Sequence, residues 1–191
     1  MAEPYHTPVL LTEAIDALNI NPNGIYVDAT FGGGGHSIEI LKKLKGGKLF
    51  AFDQDPDAKA NVPKDDRVVF IPENFRHIRN FLEFHGVMKV DGILADLGVS
   101  SHQFDTPDRG FSIRSNGPLD MRMDVSRGRP AKEMIEKMED VEIMSVLRQY
   151  TDIQGIPKLA RAIKAAQEDG ELSTTDDLTR VANGLAPRHK E

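Results

Sequence analysis

Two aspartates stand where an acid can take part in ligand chemistry. Asp53 follows the apolar run Lys48-Leu49-Phe50-Ala51-Phe52, and Asp96 ends the run Val90-Asp91-Gly92-Ile93-Leu94-Ala95. Upstream of both, Ile25-Tyr26-Val27 leads into Asp28-Ala29-Thr30-Phe31-Gly32-Gly33-Gly34-Gly35-His36-Ser37. Apolar residues at helical spacing follow in Ile38-Glu39-Ile40-Leu41-Lys42-Lys43-Leu44. Glycines between a strand and a helix let the backbone turn tightly and approach a ligand, with the amides of the helix start facing it. An acid at the end of the next strand is placed to hold ribose hydroxyls. Glycines also fill bland surface turns; the order strand, glycines, helix, strand, acid is what favours a nucleotide site. The strict dinucleotide pattern is not met, because Gly32 and Gly34 fit its first two glycines but Ser37 stands at the third.

The elements that must position these residues are legible around them. Thr7-Pro8 predicts a helix start, with Leu11, Ala14, Ile15 and Leu18 on one face. Asn21-Pro22-Asn23-Gly24 is a turn before the first strand, and Gly46-Gly47 precedes the second. Asp55-Pro56 begins a short helix, and Val68-Val69-Phe70-Ile71 reads as a third strand. Asn74-Phe75 then opens a helix carrying Ile78, Phe81 and Leu82, and residues 90–96 form a fourth strand. Phe75 is either a core aromatic or a ligand contact beyond a strand end, and Asp96 is either a turn cap or a functional acid.

From Ser100 to Arg129 periodicity is lost. Arg109, Arg114, Arg122, Arg127 and Arg129 alternate with Asp105, Asp108, Asp120 and Asp124. The stretch reads as a salt-bridged surface loop, or as a loop that presents arginines to phosphates and closes over a substrate. The last third is helical by pattern: Met134, Ile135 and Met138 share a face, as do Ile143, Val146, Leu147 and Tyr150 after an Asp140 cap. Pro157 precedes Leu159, Ala160 and Ile163, and Thr174-Thr175-Asp176-Asp177 forms a capping box.

Composition bounds the rest. The 191 residues are 39% hydrophobic, enough for one domain with a core or a domain plus a helical appendage. There is no membrane-spanning run and no cysteine, so disulfides and thiolate metal sites are excluded and a cytoplasmic location is expected. The six histidines lack metal-ligand spacing, and no metal is expected. A net charge of −6 has the wrong sign for coating nucleic acid by bulk electrostatics, so an RNA would have to meet a local basic surface.

The run Asp28 to Ser37, with His6-Thr7-Pro8-Val9-Leu10-Leu11 before it, resembles the bacterial small-subunit ribosomal RNA methyltransferase H family, also called MraW. So do Asp96-Leu97-Gly98-Val99-Ser100-Ser101, Arg109-Gly110-Phe111-Ser112 and Gly117-Pro118-Leu119-Asp120-Met121-Arg122-Met123-Asp124, in the family order. Tyr150-Thr151-Asp152-Ile153-Gln154-Gly155 departs from the family's Tyr-Gly-Glu in that region. The resemblance implies an α/β, Rossmann-like class I S-adenosylmethionine-dependent fold, with a domain at 1–129 and a helical insertion at 130–191 on the substrate side. It implies methylation of the exocyclic N4 of a cytosine in 16S ribosomal RNA, with S-adenosylmethionine as cofactor. Gly34, Gly35, His36, Asp53, Phe75, Asp96 and Gln103 would line the cofactor site. Asp96 is also the candidate catalytic acceptor, the two roles being left open.

Family members continue after the insertion into further strands, so the pattern here predicts an incomplete sheet. The chain ends at Ala186-Pro187-Arg188-His189-Lys190-Glu191, about where the insertion would hand back to the sheet. The expectation is a fourth strand with an open edge prone to self-association, and cofactor binding without efficient turnover. Two rivals remain: a nicotinamide dehydrogenase, and a non-catalytic adenosyl- or RNA-binding fragment.

Overall fold

The computed structural model describes residues 8–185, which fall in two units: up to 98 with 123–126, and 99–122 with 127 onward. The chain passes between the units at Gly98/Val99, Arg122/Met123 and Ser126/Arg127. The Thr7 cap and the segment from Ala186 onward lie outside the described residues.

The first unit runs α1 (Leu11–Ala17), β1 (Ile25–Asp28), α2 (Gly35–Lys43), β2 (Lys48–Phe52), a 3₁₀ turn at Pro56–Asn61 and β3 (Val68–Ile71). A second 3₁₀ turn at Phe75–His77, α3 (Ile78–Phe84) and β4 (Gly92–Leu94) follow. The strands form one parallel sheet in the order β3-β2-β1-β4. Strands covered on both faces read as continuous apolar runs, which is why Leu-Phe-Ala-Phe and Val-Val-Phe-Ile were legible. Alternation assigns the faces. Tyr26 and Leu49, level in the register, pack with Ile15, Ile40, Leu41 and Leu44 of α1, α2 and the end of α2. Val27 and Phe50, the next pair, pack with Phe52, Ile71 and Leu82 on the α3 side. Helices thus cover both faces, the doubly wound α/β arrangement.

Arg67, just before β3, clamps this unit from outside the sheet. Its guanidinium grips Asp65 with two bonds, Nε to Oδ1 at 2.9 Å and Nη2 to Oδ2 at 2.6 Å. Nη1 donates to the carbonyls of Leu41, in the last turn of α2, and of Leu44, its C-cap, where the helix leaves carbonyls without intrahelical donors. The pairing holds the Asp65 carboxyl down at about 2.

Two elements differ from the sequence reading. The first helix begins at Leu11 rather than at Pro8, and Leu10 before it takes a left-handed φ of 50°. Pro8 is held elsewhere: a Cβ on Gly35 would lie 2.2 Å from its Cγ, and His36 Nε2 lies 3.2 Å from Val9 O. The fourth strand is shorter than 90–96, because its ladder partner β1 ends at Asp28, level with Leu94.

The second unit holds α4 (Ser101–Asp105), a 3₁₀ turn at Pro107–Arg109, α5 (Ala131–Lys137), α6 (Asp140–Tyr150), α7 (Ile156–Glu168) and α8 (Thr175–Asn183). Its core is Leu119, Ile143, Leu159, Ala160, Ile163 and Leu172. The Thr174–Asp177 capping box forms as read. Asp140 is not the cap of α6; Glu139 occupies that place in a box with Glu142, and Asp140 is the first helical residue. Residues 100–122 are not a structureless loop. Leu119 is 2% exposed, and its amide donates to Ser173 O at 3.0 Å, while Thr175 N donates to Gly117 O at 2.9 Å. The Arg122 fork on Asp120, at 2.8 and 2.7 Å, holds that carboxyl below its ordinary value. Arg109 is buried, and its Nη2 donates to Arg122 O at 3.1 Å. At least these arginines serve internal order. Among the described residues no helix is long and apolar enough to cross a membrane.

Candidate functional site

Because the strands are parallel, their C-terminal ends share one edge, where open α/β sheets bind ligands. The segment leaving β1 is stitched to the strands on both sides. Ala29 N donates to Leu94 O at the end of β4 at 2.8 Å, and Phe31 N to Phe52 O at the end of β2 at 2.9 Å. Gly32 N then donates to Asp53 Oδ2 at 2.6 Å, and Asp53 Oδ1 accepts from Asp55 N at 2.8 Å. Asn61 Nδ2 closes the far side on Gly32 O at 3.1 Å.

Gly34 ends this loop with φ 78° and caps α2. A Cβ there would also lie 2.8 Å from Phe31 Cζ, so both backbone and space call for glycine. Gly35 and buried His36 form the first turn of α2. Phe75, 40% exposed, opens the turn after β3 and is not a core residue. Asn74 beside it caps that turn and donates from Nδ2 to Gln54 Oε1 at 2.8 Å, joining the segments beyond β3 and β2. Asp96 is exposed, and its amide donates to Thr30 Oγ1 at 2.7 Å.

Six of the seven expected residues, Gly34, Gly35, His36, Asp53, Phe75 and Asp96, therefore belong to the first unit and to segments at or beyond the C-terminal ends of its strands. Gln103 belongs to the second unit. It is buried in α4, where its Oε1 accepts from Ser100 N at 3.0 Å and its own amide donates to Ser100 Oγ at 3.1 Å, a capping box.

A family model described as the MraW methylase family matches residues 3–191. The chain belongs to that family. Among its relatives, ribosomal RNA small subunit methyltransferase H of Cytophaga hutchinsonii is 52% identical over 190 residues, 98% of this chain and 63% of that protein. The protein of the same name from Flavobacterium johnsoniae is 52% identical over 184 residues, 96% of this chain and 61% of that one. That from Bacteroides fragilis is 45% identical over 188 residues, 98% of this chain and 62% of that one. The chain thus spans less than two thirds of the length of these relatives. The methyl donor of this methylase family is S-adenosylmethionine, and the fold is Rossmann-like.

The MraW glycine loop departs from the dinucleotide pattern at Ser37, and the structure explains the departure. Ser37 is fully buried, and its Oγ donates to Asp28 Oδ2 at 2.7 Å; Thr30 N donates to Oδ1 at 3.1 Å. A glycine at 37 would leave a buried carboxyl oxygen without that donor. The sequence reading singled out neither Asp28 nor Ser37 as a pair. Their spacing of nine has no motif of its own; the signal was an acid at the end of a buried strand.

Burial pushes the Asp28 carboxyl above its ordinary value, against the pull of the Ser37 hydroxyl and the Thr30 amide. A group whose folded value is raised contributes stability that is fully present below its unfolded value, about 3.9, and is lost as pH rises through the folded value. Asp28→Asn removes this ionisation. Urea unfolding from pH 4 to 8 is expected to show the variant gaining on the wild type as pH rises. A stability difference that stays flat across that range would show that Asp28 does not titrate with folding.

Proposed function

We propose that this chain carries the cofactor-binding part of an S-adenosylmethionine-dependent methyltransferase acting on small-subunit ribosomal RNA, at the exocyclic N4 of a cytosine. The observation that carries the reading is one loop tied at the same sheet edge to both expected acids, to Asp53 through Gly32 N and to Asp96 through Thr30, in a chain of a methylase family. The names of the relatives supply the RNA, and the resemblance supplies the nitrogen.

The residues present fit an adenosyl ligand. Asp53 stands at the end of β2, and a carboxylate there is a natural acceptor for ribose hydroxyls. Phe75 offers an exposed ring for adenine, and Gly34, Gly35 and His36 form the helix start that faces the ligand's charged end. When bound, the cofactor supplies an electrophilic methyl on a sulfonium. The cytosine amine attacks poorly because its lone pair is delocalised into the ring. Asp96 then has two parts in the site, a contact to the cofactor and an acceptor for an amine proton as charge develops on nitrogen. The base is presented unstacked. The remaining parts of the reading are the small ribosomal subunit as partner and a cytoplasmic location. They also include the helical unit as the RNA side, Gln103 as a further cofactor contact, and self-association through β4, whose Ile93 is 52% exposed.

The test is calorimetry with S-adenosylmethionine and with NAD, followed by methyl transfer to small-subunit RNA with mass mapping of the product and sedimentation of the free chain. Binding of the first ligand alone is expected, with slow methyl transfer by this chain and whatever label is transferred found in N4-methylcytidine. NAD binding with no S-adenosylmethionine binding would favour the dehydrogenase; ligand binding with no methylation by this chain or by a full-length relative would favour a binding module.

A further inference from the structure

Three hydrogen bonds join four residues from four segments of the first unit. Ser37 Oγ on α2 donates to Asp28 Oδ2 at the end of β1 at 2.7 Å. Thr30 N, in the glycine loop, donates to Asp28 Oδ1 at 3.1 Å. Asp96 N, beyond β4, donates to Thr30 Oγ1 at 2.7 Å. Burial falls along this chain of bonds: Ser37 and Asp28 are in the core, Thr30 is half-buried and Asp96 is exposed.

The inner end is fixed. A buried carboxyl with both oxygens engaged cannot turn without leaving a polar group unsatisfied, so Asp28 holds the Thr30 backbone in one place. Ala29 N on Leu94 O and Phe31 N on Phe52 O pin the residues on either side of Thr30. The threonine side chain adds stiffness, since branching at Cβ restricts its first torsion. At the outer end the strand ladder has already stopped at Leu94, and the Asp96 amide takes a side-chain oxygen as acceptor in place of a strand.

We propose that Thr30 is a positioning residue for Asp96: its hydroxyl holds the turn after β4, and the Asp28–Ser37 pair holds Thr30. The cofactor loop and the proposed acceptor are then one mechanical piece, set by a single side chain. The proposal rests on the role of Asp96 given above. Small misplacements of a reacting group cost on the order of a hundredfold in rate, so freeing this turn matters more than its one bond suggests.

Thr30→Val keeps the shape and removes the acceptor; Thr30→Ser keeps the acceptor and removes the methyl; Thr30→Ala replaces valine where valine is not tolerated. Because residue 96 is exposed, protection of its amide depends on the Thr30 oxygen, and amide exchange followed by NMR reads the bond directly. Exchange at 96 is expected to rise about tenfold in Thr30→Val, the loss of one net hydrogen bond, with Tyr26 and Phe50 amides unchanged, and to return to near wild type in Thr30→Ser. Calorimetry with S-adenosylhomocysteine adds a cycle with Asp96→Asn, in which the double variant is expected to bind no more weakly than Asp96→Asn alone. An Asp96 amide as protected in Thr30→Val as in the wild type overturns the proposal, and so do losses that add in the cycle. Unchanged affinity and unchanged methylation in Asp96→Asn would instead remove Asp96 from the site, while exchange at 96 still decides whether Thr30 holds the turn.

Discussion

Replacing Asp53 by alanine is expected to weaken S-adenosylmethionine binding by about 1–3 kcal/mol, roughly fivefold to 150-fold, the scale of hydrogen bonds to a charged group. The loss has two sources. On the proposed role the ribose hydroxyls lose their acceptor, and Gly32 N and Asp55 N lose theirs, so the glycine loop is also released. Asparagine is not a gentle control here. Each carboxylate oxygen accepts a backbone amide, so either orientation of an asparagine amide sets its NH₂ against an N–H donor. Asp53→Asn should therefore lose about as much affinity as Asp53→Ala. Isothermal calorimetry on variants with wild-type circular dichroism decides the matter; full affinity in a folded Asp53→Ala protein would take Asp53 out of the site.

In the second unit the largest effect is expected at Gly117. Its φ is not left-handed, so space alone calls for glycine. A Cβ there would sit 1.9 Å from Pro107 O and 2.6 Å from Pro107 C, backbone atoms that cannot swing aside. Either segment must move, and with it the bonds from Thr175 N to Gly117 O and from Leu119 N to Ser173 O, both next to buried Leu119. Gly117→Ala should cost about 3 kcal/mol, the upper end for overpacking. Gly155 is the contrasting site. Its φ is 75° but a Cβ would meet nothing within 4 Å, so Gly155→Ala should cost only the strain of a left-handed residue, about 1 kcal/mol. Urea unfolding of the two variants ranks them; a Gly117→Ala protein no weaker than Gly155→Ala would mean that 107 and 117 separate freely.

The first unit was legible because its signals are local. Four apolar runs, a glycine cluster and two terminal acids lie in chain order, and a parallel sheet buried on both faces shows each strand as an uninterrupted run. What escaped notice was set by contacts distant along the chain. Ser37 looked like a defect in a motif until its hydroxyl was seen on Asp28. Helix α4 has five residues, too few for a period, although Ser100 and Gln103 carried a capping-box spacing. Residues 115–120 looked like loop because their partners, Ser173 and Thr175, lie on the far side of three helices in sequence. The α6 cap went to Glu139 rather than its neighbour Asp140 because only Glu139 stands three residues before Glu142.

The strand order also fixes when the two halves of the site come into being on a ribosome. β1, β2 and β3 are consecutive in the chain and adjacent in the sheet, so they can pair once residue 71 has emerged. β4 pairs on the opposite side of β1, and must wait for Gly92–Leu94. At about 5–20 residues per second, nascent β1 spends on the order of seconds with one flank bare, while Gly32 and Asp53 can already be bonded to each other. Asp53 is seated early and Asp96 later, and Ala29 N and Thr30 Oγ1 stay unmatched until Leu94 and Asp96 are in place.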